Sequence, residues 1–244
     1  METPHQHVAI LIIGNEVLSG RTREANAWLA AQNLFDVGCK LGEVAIVADD
    51  QSMIVQTLQR LRKQYDAVIT SGGIGPTHDD ITMLAVADCF DVPLLEHEDT
   101  IALMLAYYGQ DALSEGRRRM ARLPHGAVPI ICEHSIAPGA HIGHVYVLAG
   151  VPHIFASQLA AVLVDFKGKQ VFIRQEIEVA LAESTFAAAL GKIQERYPSM
   201  DIGSYPARCG NEPCGKICVS GVDEAVIIQV LDEIKQMLKD VKKS

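Results

Sequence analysis

The stretch TSGGIGPTHDDIT, residues Thr70 to Thr82, decides how this chain is read. It follows a short apolar run, so DAVITSGG predicts a strand that opens directly into a glycine-rich loop. Gly72, Gly73 and Gly75 allow positive backbone torsions and close approach of a ligand, because no Cβ intervenes. Pro76 fixes the chain, while Ser71 and Thr77 offer hydroxyls. Amides entering the next helix, expected over Asp80 to Phe90, would face a phosphate with the positive end of the helix dipole. No lysine follows the glycines, and the spacing is not the dinucleotide fingerprint, so neither standard phosphate motif applies. Two readings stay open on these residues alone: a phosphate cradle, or a tight strand-to-helix turn with Asp79 or Asp80 as its cap. Two carboxylates would repel a phosphate unless a divalent cation sits between them. Mg²⁺ binds in this way, through one or two carboxylates plus phosphate oxygens. Such a cation would also polarise a phosphoryl oxygen and orient a water.

Outward from the loop, strand and helix signals alternate. HVAILIIG is a near-continuous apolar run, as expected of a strand covered on both faces. EANAWLAAQNLF carries apolar residues at helical spacing, GEVAIVADD reads as a second strand, and Ile54, Leu58, Leu61 and Tyr65 stripe a second helix. A helical stretch is expected from about Asp99 to Leu123, with later strands at VPII and HVYVLAG. This rhythm predicts the α/β class, with a doubly wound, mostly parallel sheet over residues 1–167. In residues 168–244 the pattern changes to strand KQVFIRQEIEVAL, helix AESTFAAALGKIQERY, strand KICVSG and a terminal helix, a smaller α+β domain. Ligands of open parallel sheets bind beyond the carboxyl ends of the strands. Three loops there, GNEVLSGRTREAN, VADDQS and the glycine loop, each carry a carboxylate, with Asp49 or Asp50 able to join the pair at 79–80. Gly150-Val151-Pro152 ends a further strand and reads as another ligand-facing turn.

Composition narrows the function. Of 244 residues, 49% are hydrophobic and no apolar run approaches the roughly 20 needed to span a bilayer, so no membrane role is expected. The N-terminal METPHQHVAI lacks the features of a secretion signal, which predicts a cytoplasmic protein. A net charge of -9 argues against a nucleic-acid partner and leaves a phosphorylated small molecule. The basic cluster EGRRRMARL is expected to place two of its four arginines on a solvated helix face and the others towards an anion. CGNEPCGKIC, with Cys209, Cys214 and Cys218, lacks the paired spacing of a zinc site and is read as three reduced thiols around a turn. His141 and His144, three apart, are read as incidental, whereas His78 lies inside the loop and suits a modulating role near neutral pH.

The glycine loop, together with IGNEVLSGRTREANAWLA, VADD, RRRMARLPHGA, APGA, LAGVPHIF and SYP in that order, resembles the molybdopterin-binding fold family of molybdenum-cofactor biosynthesis. The closer resemblance is to the N-terminal region of the competence/damage-inducible protein A family. It implies a three-layer α/β domain followed by a small α+β domain, commonly in a homo-oligomer. It further implies cleavage of ADP-ribose-like or FAD-type dinucleotides at the pyrophosphate, dependent on a divalent metal (Mg²⁺, Mn²⁺ or Co²⁺) and on K⁺. Under that resemblance Asp49 and Asp80 are the metal-binding, catalytic pair. Gly14, Glu16, Asn26, Ser71, Gly72, Gly73, Gly75, Pro76, Thr77, Asp79, Thr82, Arg118, Gly150 and Pro152 would line the phosphate and substrate site. The alternative it carries is a protein that binds molybdopterin or a similar pterin phosphate. Three positions depart from the family pattern: Asn15 replaces a usual aspartate, Ala140 an aromatic, and an arginine run the usual Asn-Arg pair, where Arg118 aligns with the family arginine.

Overall fold

The computed structural model describes residues 5–109, 113–168, 170–209 and 212–243, with backbone alone at 208, 209, 212 and 243. The chain forms two compact units, Met1–Lys169 and Gln170–Ser244.

The first unit begins with strand β1 (His7–Ile13), a single helical turn α1 (Asn15–Leu18), helix α2 (Asn26–Asp36), β2 (Lys40–Val47), α3 (Gln51–Gln64) and β3 (Ala67–Ser71). It continues through α4 (Thr82–Phe90), β4 (Leu94–Glu96), α5 (Glu98–Tyr108), α6 (Glu115–Met120), β5 (Arg122–Pro124), β6 (Val128–Cys132), β7 (Ser135–Ile142), β8 (Val145–Leu148) and α7 (Pro152–Val162). Six strands form one sheet in the order β2-β1-β3-β8-β7-β6. The pairs β2/β1, β1/β3 and β3/β8 are parallel, while β7 and β6 run antiparallel at one edge. The sheet is therefore mixed and mostly parallel, as the alternating pattern predicts.

Its central strands are apolar on both sides for a visible reason. Val8, Ile10 and Ile12 meet Ala27, Ala30 and Leu34 of α2 and Phe155 and Leu159 of α7. Ala9, Leu11 and Ile13 meet Ile54, Leu58 and Leu61 of α3 and Met83 and Val86 of α4. Alternation along one strand thus feeds two cores, and three layers result.

One expectation needs correction, and one strand goes unread. The stretch from Asp99 to Leu123 is not one helix: α5 and α6 are separate, and Arg122–Pro124 is strand β5, paired antiparallel with β4. Strand β7, SIAPGAHI, escapes any apolar alternation because Pro138 and Gly139 interrupt it. Gly139 is buried, and a Cβ there would lie 2.4 Å from the Val147 carbonyl, so the strand depends on that close approach.

The second unit comprises β9 (Ile173–Val179), α8 (Ala187–Arg196), β10 (Asp201–Cys209), β11 (Glu212–Gly221) and α9 (Glu224–Lys243). The strands form an antiparallel sheet in the order β10-β11-β9. Ile227, Val230, Leu231, Ile234 and Leu238 place the apolar stripe of α9 in a core with Ile217 and Val219. The reading of three reduced thiols is also corrected. Cys218 is free and buried, and burial raises its pKa, but Cys214 is disulfide-bonded. The β10/β11 hairpin closes at Cys209 and Glu212 and so folds one strand end back beside Cys214. The Cys209 side chain lies outside the described residues.

Candidate functional site

Because β2, β1, β3 and β8 are parallel neighbours, the loops after all four emerge at one edge of the sheet. After β2, two adjacent aspartates divide the work. Asp50 caps α3, accepting from Met53 N–H at 2.9 Å and from Ser52 Oγ at 2.8 Å, and the Met53 amide first of all holds its carboxyl below the usual range. Asp49 instead accepts the backbone N–H of Asn15 at 2.8 Å, which ties the β2 loop to the β1 loop. Asn15 contributes there through its main chain, so its side-chain identity leaves this contact intact. Gly14 continues the ladder by donating to Val47 O, and Glu16 folds its carboxylate back over Gly14, where a Cβ would lie 2.6 Å from Oε1.

The turn after β3 requires glycine twice. Gly72 has φ 105° and Gly73 φ 66°. A Cβ on Gly72 would stand 2.2 Å from Ile13 O, and one on Gly73 would stand 2.3 Å from Thr82 Oγ1. Thr82, fully buried, locks this turn by donating its hydroxyl to Gly72 O at 2.8 Å and its N–H to Gly73 O at 3.0 Å. Asn26 donates from Nδ2 to Ser71 Oγ and to Gly150 O, both at 2.8 Å, joining the ends of β3 and β8 to the start of α2. Ser71 is 2% exposed, and its own hydroxyl faces Ala149 O at 3.3 Å. Ser71, Thr82 and Asn26 thus frame the loop through these bonds, and Asn26 Oδ1 stays without a partner among the described residues.

Asp79 and Asp80 do not cap α4. The helix begins at Thr82 after Ile81, with no side-chain cap. Asp80 turns back along its own loop: Oδ2 accepts Thr77 N–H at 2.8 Å and Thr77 Oγ1 at 2.6 Å. Asp79 Oδ1 approaches the same hydroxyl at 2.5 Å, and that hydroxyl, before its own backbone and His78, holds the Asp79 carboxyl below the usual range. A single hydroxyl proton serves two carboxylates, so one of them always has lone pairs to offer elsewhere.

The arginine run is sorted by helical phase. Gly116 packs on the loop, where a Cβ would lie 3.3 Å from Pro76 Cβ. One turn later Arg119 donates from Nη1 to Thr77 O at 2.5 Å. Arg118 faces another way and pairs with Glu96 at 3.3 Å, Arg122 pairs with Glu115 at 2.7 Å, and Arg117 stacks 3.8 Å above the Tyr108 ring. The arginine that reaches the glycine loop is therefore Arg119, whereas Arg118, on which the expectation was placed, is paired with Glu96.

Between α6 and the loop lies a cleft of about 520 Å³. Gly73, Gly75, His78, Asp80, Arg119 and Arg122 supply its polar wall. Ile74, Ile81, Met83, Leu84, Leu94 and Met120 supply an apolar floor. The aliphatic floor was not foreseen from sequence, although Met83 and Leu84 stand at the start of a helix already expected. Asp49, Glu16, Asn26, Gly150 and Pro152 do not line this cleft. Pro152 opens α7 at its exposed N-terminus. His141 and His144 sit at the other end of β8, where His141 stacks on Tyr146 with centroids 4.3 Å apart. Among the described residues, no three His, Cys, Asp or Glu side chains gather as a metal-binding group. The donor set at the loop is a pair of carboxylates, which suits a cation that keeps its waters and is completed by a ligand's own phosphate oxygens.

Residues 9–167 match the family model of the probable molybdopterin binding domain, and residues 171–243 match that of the FAD synthase middle domain. A protein of Pyrococcus abyssi is 31% identical over 242 residues, covering 91% of this chain and 93% of its own. A probable FAD synthase of Caenorhabditis briggsae is 30% identical over 224 residues, covering 81% of this chain and 43% of its own. The crystal structure of the protein CinA, of unknown function, from Thermoplasma acidophilum aligns with a TM-score of 0.62 at 33% identity, covering 66% of this chain and 97% of that one. By a match that takes in most of its length, the chain belongs to the molybdopterin-binding domain family.

Proposed function

We propose that this protein hydrolyses the phosphoanhydride of a dinucleotide of the FAD or ADP-ribose type, with a divalent cation. The observation that supports this reading is the cleft itself: a glycine turn, the Asp80 carboxylate and the guanidiniums of Arg119 and Arg122 surround one volume whose floor is apolar, with Asp79 beside Asp80 on the same loop. Phosphates suit the first three and a nucleoside ring suits the last. The match of residues 171–243 to a domain of FAD synthase favours a nucleotide over a simple phosphate ester. In the reaction, water oxygen adds to one phosphorus, the bond from that phosphorus to the bridging oxygen breaks, and two monophosphates and protons are released. Loop amides around Gly73 and Gly75 would seat a phosphate. Asp80 and Asp79 would hold the cation with substrate oxygens. Bound there, a divalent cation withdraws electron density from phosphorus and neutralises the charge between the carboxylates and the diphosphate. Asp49, tied to Asn15 N–H outside the cleft lining, would support the loop edge.

Purified protein supplied with Mg²⁺, Mn²⁺ or Co²⁺, with and without K⁺, is expected to release AMP from FAD or ADP-ribose, and chelation is expected to stop it. No AMP from either substrate with any of the three metals would end this reading. The match over residues 9–167 favours a second reading, binding of a pterin phosphate without hydrolysis. Saturable pterin binding in the absence of AMP release would establish that one instead.

The Thr77 hydroxyl gives the reading a pH signature. It stabilises the ionised form of Asp79, so the pKa lies below that of a free aspartate. Thr77→Val removes this donor and lets the pKa rise towards the ordinary value. The acid limb of the pH–rate profile is then expected to move to higher pH, with activity fading earlier as the solution is acidified. An acid limb identical to that of the parent would show that Asp79 takes no part.

A further inference from the structure

The glycine loop accounts for one phosphate; the α6 side of the cleft is built for another. Arg119 lines this cleft and donates one N–H to Thr77 O. A guanidinium carries five N–H donors in a rigid fork, so most of them remain for a ligand. Its neighbours are already neutralised, Arg118 by Glu96, and Arg122 by Glu115 and more loosely by Glu96 at 3.8 Å. Among the described residues no ion pair joins Arg119 to a carboxylate. In a chain of net charge -9, a guanidinium placed in a cleft without an acidic partner marks an anion position. Helical phase fixes the distance from the loop, because Gly116 on Pro76 and Arg119 on Thr77 O are successive contacts of one face of α6.

We propose that Arg119 is a second phosphate subsite, which makes the ligand class a nucleoside diphosphate or its diester rather than a nucleoside monophosphate. The proposal rests on the reading of the loop as the seat of the first phosphate. The fork lies beside that seat because Arg119 bonds Thr77 O, in the same loop as Gly73 and Gly75, so adjoining phosphates of one anhydride would bridge loop and helix. A ligand with a single phosphate satisfies one half and leaves the guanidinium unpaired.

The test is equilibrium binding of ADP and AMP at one fixed Mg²⁺ concentration, compared among variants so that the metal's own preference for ADP cancels. Parent protein is expected to bind ADP at least about tenfold more tightly than AMP, as one charge-assisted bidentate contact would give. Arg119→Met is expected to lower that ratio about tenfold, to whatever the metal alone sets. Arg119→Lys, which keeps the charge and can still donate to Thr77 O, is expected to fall between. Arg118→Met, which breaks only the contact with Glu96, is expected to leave the ratio as in the parent. A merely structural Arg119 would weaken ADP and AMP alike and preserve the ratio, and that result overturns the proposal, as does a parent ratio near one. Absence of AMP release from dinucleotides with the ratio intact would instead remove the hydrolytic reading and leave the subsite standing.

Discussion

Asp80→Asn is expected to lower kcat for dinucleotide cleavage by on the order of 10²–10³-fold, the size of effect seen when one preorganised electrostatic group is removed from a site. The substitution isolates charge from shape. Asp80 Oδ2 accepts both the N–H and the hydroxyl of Thr77, and an asparagine carbonyl oxygen accepts the same two bonds. The loop turn therefore keeps its closure, and the thermal unfolding midpoint is expected to match that of the parent. What disappears is one negative charge in the wall of the cleft, and with it half of the carboxylate pair at 79–80 that would hold a cation. The loss should fall on kcat more than on KM, since seating of the first phosphate depends on main-chain amides that the change leaves alone. Raising the Mg²⁺ concentration should recover part of the rate if the lost group is a cation ligand. Parent-like turnover in Asp80→Asn would remove this residue from the chemistry.

Much of this arrangement is legible before any coordinates, and the reasons differ by element. β1 and β3 are readable because burial on both faces demands an unbroken apolar run. Helix α3 is readable because Ile54, Leu58 and Leu61 repeat at helical spacing and all three are fully buried. The loop at Thr70–Thr82 is readable because positive φ at Gly72 and Gly73 leaves a glycine signature. Strands β7 and β10 are not readable, since Pro and Gly interrupt both and their partners, not their propensities, hold them extended. Nor does the sequence say which of four arginines faces the loop. That depends on where α6 starts, and Ser114 sets the start by accepting Arg117 N–H as the cap. The two aspartates at 79–80 were legible as a pair, but not their attachment to Thr77, because a carboxylate two or three residues along serves equally well as a helix cap. Local pattern thus locates the site, while side-chain direction within it is a tertiary matter.

Gly72→Ala is expected to destabilise the first domain by roughly 3–5 kcal/mol, combining an unfavourable backbone region with a forced overlap. At the two to four degrees per kcal/mol usual for a chain of this size, its melting transition should fall by roughly 10 °C. The offending neighbour decides the sign. A Cβ at Gly72 meets Ile13 O at 2.2 Å, and that carbonyl belongs to the backbone at the end of central strand β1, so no rotamer change can relieve the contact. Either β1 moves away from β3, which opens both cores, or the turn moves out and carries Gly73, Asp79 and Asp80 with it. Both routes misplace the loop, so nucleotide binding should be lost even where the domain still folds in the cold. Gly191→Ala is the matched comparison. Gly191 lies inside α8 with nothing within 4 Å of its missing Cβ, and there alanine favours the helix. That change should raise the stability of the second domain by about 0.5–1 kcal/mol. If Gly72→Ala instead proved as harmless as Gly191→Ala, the close contact between the glycine turn and the first strand, on which the whole site is hung, would not exist in solution.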